Sequence, residues 1–335
     1  MDSLSKAVKV AALASLSFFV SCSGGSTNSQ SSPGSPSSPS PPSSPSDFPD
    51  GFWDASDIPT PKNVMMFKFL NRTNGQYPDS QVYWSVNING VKETHSIADQ
   101  QFFDMPANPS GRIYFYLGSP TSQYADFIEY TIGQTQFNGN TTRVDAFSIK
   151  LAILLHCADG YEAMVGENAA TFAEDRSVTF QRFVNAVPAE FKPLAQLQAP
   201  YKILNPGAGG FGAGDTYADY YNDYVDQVWS SNGLTIPKPG PNASGLGSYP
   251  DLSAAIYRHT AAPGTFNPDG TLLDKNMWAS SSTFYLQAPA NYYAKFWHDN
   301  GIDGKAYGFP YDDVGGYSTY ISHKNPQYML VAIGW

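Results

Sequence analysis

The chain has 335 residues, with 29 acidic against 19 basic side chains and a formal net charge of −10. Without a basic face it cannot neutralise a row of phosphates, so nucleic acid is excluded as its partner. Only 14% of residues are charged while 15% are aromatic, and flat rings with short hydroxyl and amide arms suit a neutral, hydroxyl-rich polymer, although most rings in a β-rich protein are core.

Lys6 and Lys9 precede an apolar stretch from Val10 to Val20, with small residues after it. Residues 1–22 therefore read as an export signal, too short in its apolar part to span a bilayer. Two processing routes compete. One is cleavage after Ser23; the other is lipoprotein processing at Cys22, where Phe19-Val20-Ser21-Cys22 forms a loose lipobox. The polar tether that follows Cys22 at once favours the second. Either route places the protein outside the cell, released or held at the surface by a lipidated Cys22. Residues 23–47 are Ser, Pro and Gly with hardly an apolar side chain, and read as a disordered spacer.

With Cys22 assigned to the signal, Cys157 is the one cysteine left for the folded part, which excludes a disulfide within it. In the apolar run LAILLHC it reads as a buried, inert thiol, and His156 as a core or strand-end histidine. The remaining residues, 48–335, suffice for one large domain or two lobes.

Short β-type runs come first: 64–70, 82–88, 112–117, 127–132 and 144–155. Asn89-Gly90 between the second run and VKETHSI signals a tight hairpin, because both central residues of that turn need positive φ. The pattern is antiparallel sheet. Beyond Asp159 it turns helical. Ser177 is placed to cap a helix carrying Phe180, Phe183, Val184 and Val187. Asp215 is placed to cap another, with Tyr217, Tyr220, Tyr221, Tyr224, Val225 and Val228 on one stripe and Gly233 just beyond it. A further helix is expected over 290–300, before β-type runs return in STYIS and YMLVAIGW. The fold class is mainly β, with a β lobe over about 48–158 and 275–335, an inserted mixed α/β lobe over about 159–274, and a wide groove between them.

Most chemical motifs fail their context. Gly207, Gly209 and Gly212 spell G-x-G-x-x-G, but Pro206 interrupts the approach and no βαβ pattern follows. No Ser stands in a G-x-S-x-G elbow, and the Cys and His spacings do not suit zinc. Carboxylates remain. Glycoside cleavage needs two of them flanking the scissile bond. Glu129 sits within the aromatic run FIEYT, and Asp145 heads VDAFSIKLAILL, so both are expected to project from strands, with QTQFNGNTT reversing the chain between them. That geometry suits a catalytic pair and equally a cross-strand polar contact.

The runs FIEYT and NTTRVDAFSI, their spacing, and YGFPYDDVGG at 307–316 resemble glycoside hydrolase family 64, the thaumatin-like β-1,3-glucanases of the laminaripentaose-producing type. The likeness extends from about Phe67 to Trp335. It implies a thaumatin-like β lobe with a mixed α/β lobe enclosing a groove, and a monomer that acts on β-1,3-glucan with no metal or organic cofactor. Residue by residue, it implies Glu129 as general acid, Asp145 as general base, Thr131 and Thr142 as groove threonines, and Asp312 and Asp313 with Tyr311 as contacts to substrate hydroxyls. Read locally, PYDDVGG is also a turn in which Asp side chains bond backbone amides and Gly315-Gly316 permits positive φ. Departures are Gly308, where relatives carry a bulkier residue or cysteine, and 133–139, which matches poorly.

The implied reaction is a single displacement with inversion, releasing short oligosaccharides. Glu129, kept protonated by a partly apolar setting, gives its proton to the leaving oxygen while Asp145 activates water, which requires carboxyls roughly 6.5 to 9.5 Å apart. Two rivals remain: a non-catalytic glucan-binding protein, and a hydrolase of another linkage such as mixed-linkage glucan. Asn71, Asn140 and Asn242 head glycosylation sequons, which would matter in a eukaryotic secretory route.

Overall fold

The computed structural model describes residues 47–335, so the export signal, Cys22 and the spacer as far as Ser46 lie outside the described residues. Strands come first: β1 (Met65–Arg72), β2 (Val82–Ile88), β3 (Val91–Ser96), β4 (Phe102–Met105), β5 (Asn108–Leu117), β6 (Ala125–Ile132), β7 (Gln136–Thr141), β8 (Ala146–Phe147), β9 (Lys150–Cys157) and β10 (Glu162–Gly166). Helices α1 (Ala169–Ala173) and α2 (Arg176–Ala186), the short β11 (Ile203–Leu204), and helices α3 (Asn222–Asn232), α4 (Pro250–Arg258) and α5 (Tyr292–Asp299) follow. The chain then returns to sheet in β12 (Tyr320–Lys324) and β13 (Pro326–Gly334).

Two sheets make the body of the fold. One runs β10-β9-β13-β1-β4 and the other β12-β7-β6-β5-β2-β3. They pack face to face through one apolar cluster: Phe67, Phe69, Leu151, Ile153, Val331 and Ile333 come from the first sheet, and Trp84, Ile113, Phe115, Ile128 and Phe137 from the second. Phe69 lies 4.8 Å from Trp84, centroid to centroid.

The two sheets differ in what covers their other faces, and the sequence carries that difference. Leu70, Leu154, Leu330 and Ala332 of the five-stranded sheet are covered by Phe48, Phe52, Phe172 and Ile302. A strand buried on both faces has no polar side, which is why β9 and β13 read as continuous apolar runs. In the six-stranded sheet Ile113, Phe115 and Leu117 of β5 point inward, while Arg112 before them and Tyr114 between the first two are exposed. That alternation marks a sheet with one open face. The open face carries the acids.

The expected hairpin is present. Ile88 pairs with Val91 across Asn89 and Gly90, whose φ values of 53° and 84° are those a two-residue turn demands. Other expectations need revision. The run 144–155 is not one strand, because the chain bends at Val144-Asp145 and again between β8 and β9. β1 pairs antiparallel with β4, as expected of the opening region, but its other edge pairs in parallel with β13. The cap of α2 is Asp175, which accepts from the Ser177 amide, and α3 starts only at Asn222, since Asp215 accepts instead from the Gly212 amide. The sequence reading passed over α4, whose Pro250 stands at its start. The expected helix over 290–300 is α5, and the return to sheet comes at Tyr320, within the expected STYIS run; residues as far as Tyr317 pack with the helical layer.

Cys157 is buried, and burial pushes its thiol up to about 11, as suits an inert core cysteine. The sequon asparagines do structural work: Asn71 donates to the Tyr77 carbonyl and to Asp79, each at 2.8 Å, Asn242 to the Phe211 and Tyr217 carbonyls, and Asn140 is buried.

Candidate active site

Glu129 stands on β6 with its side chain on the open face, beside Thr131, while Ile128, Tyr130 and Ile132 alternate into the core. Its partner across the sheet is Arg112 of β5, in direct register. The guanidinium lies over the ring of Phe127 at 4.1 Å and grips Glu129 Oε1 from Nε at 3.0 Å and from Nη2 at 2.8 Å. Its other terminal nitrogen lies 3.8 Å from Asp145 Oδ2. One planar cation thus bridges the two acids. Asp145 is the more open, its side chain 63% exposed against 33% for Glu129.

This arrangement corrects two expectations. Asp145 does not project from a strand; it sits in the bend before β8. The setting of Glu129 is not apolar either, since its nearest neighbour is a cation and a third of its side chain is wet. Arg112 was absent from the sequence reading, yet a signal existed: in RIYFYL the apolar residues alternate, which puts Arg112 on the same open face as Glu129.

The bend that holds Asp145 is fixed from behind. Arg143, two residues before Asp145, is buried and fully engaged. It bonds both oxygens of Glu167 at 2.7 Å, Asp126 Oδ2 at 2.5 Å and the Ile149 carbonyl at 3.1 Å. Its own amide donates to the Tyr307 carbonyl and its carbonyl accepts from Tyr293. Asp126 is the inward-facing residue three positions before Glu129 on β6, and it also accepts from the Ser148 amide at 3.1 Å. The strand bearing one acid and the loop bearing the other are therefore fastened by the same buried ion cluster. On the outside, Asn205 donates to the Asp145 carbonyl at 2.7 Å. The glycine-rich segment that follows Asn205 is a short 3-10 turn after a two-residue strand, not a nucleotide-binding βα junction.

The other expected site residues divide. Thr131 is exposed beside Glu129, whereas Thr142 is buried and accepts from the Val144 amide at 3.2 Å. Asp313 is exposed and Tyr311 half-buried. Asp312 is fully buried, which corrects its expected role as a substrate contact. Its carboxylate receives Arg258 at 3.1 Å, His298 at 3.0 Å and the Gly308 amide at 2.9 Å, leaving nothing to offer a ligand. Gly308 is glycine because a Cβ there would lie 2.7 Å from Ala294 of α5. Tyr307 joins this loop to the acids: burial and the charges of Asp313 and Glu129 raise its pKa.

Neither of two surface cavities, one of 290 Å³ beside Arg182 and Phe296 and one of 190 Å³ beside Thr73 and Trp335, includes either acid. The acids lie on an open sheet face, where a polymer can be laid down, rather than in a closed pocket.

A glutamate and an aspartate held across one open sheet face form the kind of site that cleaves glycosides. Comparison with known proteins narrows this. The family model for β-1,3-glucanases of glycoside hydrolase family 64 matches residues 119–240 and 238–333, and the chain belongs to that family. It is similar to the crystal structure of a family 64 laminaripentaose-producing β-1,3-glucanase from Paenibacillus barengoltzii, at 32% identity and a TM-score of 0.70, covering 84% of this chain and 77% of that one. A β-1,3-glucanase domain from Clostridium beijerinckii, 22% identical with a TM-score of 0.67 over 83% of this chain and all of that one, shares the fold. A glucan endo-1,3-β-glucosidase from Cellulosimicrobium cellulans is 40% identical over 76 residues, which is 23% of this chain and spans only 12% of that relative.

Proposed function

We propose that the protein is an exported β-1,3-glucanase that cleaves its polymer by inverting single displacement, with Glu129 as general acid and Asp145 as general base. The observation that carries this reading is the placement of the two acids on separate nitrogens of Arg112. The guanidinium reaches both, at 2.8 Å from Glu129 Oε1 and 3.8 Å from Asp145 Oδ2, so their nearest oxygens are at most about 9 Å apart, inside the upper limit for an inverting pair. The similar Paenibacillus barengoltzii enzyme is described as laminaripentaose-producing and has been crystallised with laminarihexaose, which supports a β-1,3-linked glucan as substrate and short oligosaccharides as products. In the proposed architecture a thaumatin-like β lobe and the helical lobe form the two banks of the groove.

The chain's own residues would act in order. A sugar ring settling on the open face takes the place of the guanidinium beside Glu129, and Arg112 stays with Asp145. Glu129 gives its proton to the departing glycosidic oxygen. Asp145, open to solvent, draws a proton from the water that attacks the anomeric carbon from the opposite side. Thr131 and Asp313 flank the ring, while Thr142 and Asp312 shape the loops behind it. Export, and tethering through Cys22, remain part of the proposal on the sequence pattern of residues 1–22.

Proton NMR of laminarin during the first minutes of digestion tests the mechanism. New reducing ends in the α form support inversion. Ends that appear in the β form sink the single displacement, and a lack of new ends leaves a glucan-binding protein.

A further inference from the structure

The open face continues past Glu129 onto β7 and β12, where the side chains take no part in the reaction proposed above. Sheet register puts Tyr320, Asn140 and Glu129 in one cross-strand row, and Ser322, Asn138 and Thr131 in the next. Tyr320 is 52% exposed. Its hydroxyl nevertheless donates to Asn138 Oδ1 at 2.9 Å, Ser322 donates to the same oxygen at 2.8 Å, and Gln136 donates to Ser322 at 3.0 Å. An exposed tyrosine with a tethered hydroxyl presents its ring at a fixed angle, so the rotational freedom that a free surface ring would lose on binding is already gone. Asn138 spends its oxygen on these two bonds and keeps its amide nitrogen for others.

Asn140 supplies the second, independent observation. It is 9% exposed, lies between Tyr320 and Glu129, and its Oδ1 is buried without a hydrogen-bond partner. A buried acceptor left unmet is a standing cost that most folds avoid. That acceptor is closed to solvent in the free protein, so a hydroxyl lying between the Tyr320 ring and Glu129 meets it once the Asn140 amide turns outward.

We infer that Tyr320, Asn138 and Asn140 form a glucosyl subsite. The Tyr320 ring takes the apolar C–H face of a pyranose, and the two amides take its hydroxyls. Strands lie about 4.8 Å apart, so Tyr320 stands about 10 Å from Glu129 across the sheet, roughly two sugar rings away. The subsite therefore grips long chains and not short ones, and helps to set where a chain is cut. This rests on Glu129 and Asp145 being the glucan-cleaving pair.

The test uses the full domain with Glu129→Gln, which permits binding without turnover, and titrates it with laminaribiose and laminarihexaose by calorimetry. Adding Tyr320→Ala should weaken laminarihexaose about five- to tenfold, as loss of one ring contact does, and change laminaribiose much less. Tyr320→Phe, which keeps the ring and releases its tether, should fall between. Equal affinity for laminarihexaose in the Tyr320→Ala protein, with an unchanged melting temperature, overturns the subsite alone. If the parent binds neither sugar and the wild type cleaves no laminarin, the glucan reading itself falls, and the subsite with it.

Discussion

Two arginine–carboxylate clusters in this chain are made of the same groups and do opposite things. Arg112 meets Glu129 and Asp145 on the open face, resting on Phe127; Arg258 meets Asp312 under the surface, between Trp278, Phe284, Phe309 and Tyr317. The first is partly wet on every side chain, so separating it costs little and its members are free to trade partners with a substrate. The second is wholly buried, and removing one member strands the other's charge in a medium that cannot solvate it. Exposure, not residue type, separates acids that can meet a substrate from one that holds the fold.

The largest expected effect sharpens this contrast from the open side. Glu129→Gln should lower kcat on laminarin about a thousandfold, the scale of a lost general acid, while the melting temperature stays put; a variant that retains full turnover breaks the comparison. On the closed side, Asp312→Ala should cost roughly 3 to 5 kcal/mol of unfolding free energy in urea titrations, because Arg258 is left uncompensated. A loss under 1 kcal/mol would mean that the buried cluster is not holding the 307–317 loop. Arg112→Gln should change stability by less than about 1 kcal/mol yet alter the pH profile of kcat/KM, since the cation shared by both acids is gone; an unchanged profile would count against the bridge having a part in the reaction.

The smallest effect is a pH dependence. Burial of His298 works against its charge, but the neighbouring Asp312 outweighs it and the pKa is raised. The folded protein then binds more protons than the unfolded chain above the ordinary histidine value of about 6.5. This contribution to stability is complete below that pH and is lost as pH rises through the raised value. Urea midpoints should therefore decline over that range in the wild type and decline less in His298→Gln.

The β framework was legible because its physics is local. Alternation in β5 and β6, unbroken apolar runs in β9 and β13, and Asn89-Gly90 each state a period or a turn within a few residues. Glu129 and Asp145 could be singled out as candidates, and their setting could not. Arg112 and Glu129 meet through strand register, and Arg143 closes on Asp126 and Glu167 only once three elements have come together. Asp145 looked like a strand residue because the apolar run around it does not register the two bends. In the doublet Asp312-Asp313, adjacent side chains part company, one inward and one outward. Nothing in PYDDVGG says which is which; only the cavity around Arg258 and His298 decides.

The central place of β13 has a consequence for how the chain comes to be folded. This last strand lies between β1, the first, and β9. A growing chain that has produced everything through β12 still has two bare strand edges facing a gap, and half of its sandwich has no middle. Pairing residues so far apart in sequence must cost chain entropy before any contact repays it. The sandwich therefore closes late and as a unit, and a chain cut short before Pro326 leaves β1 and β9 open to strands of other molecules.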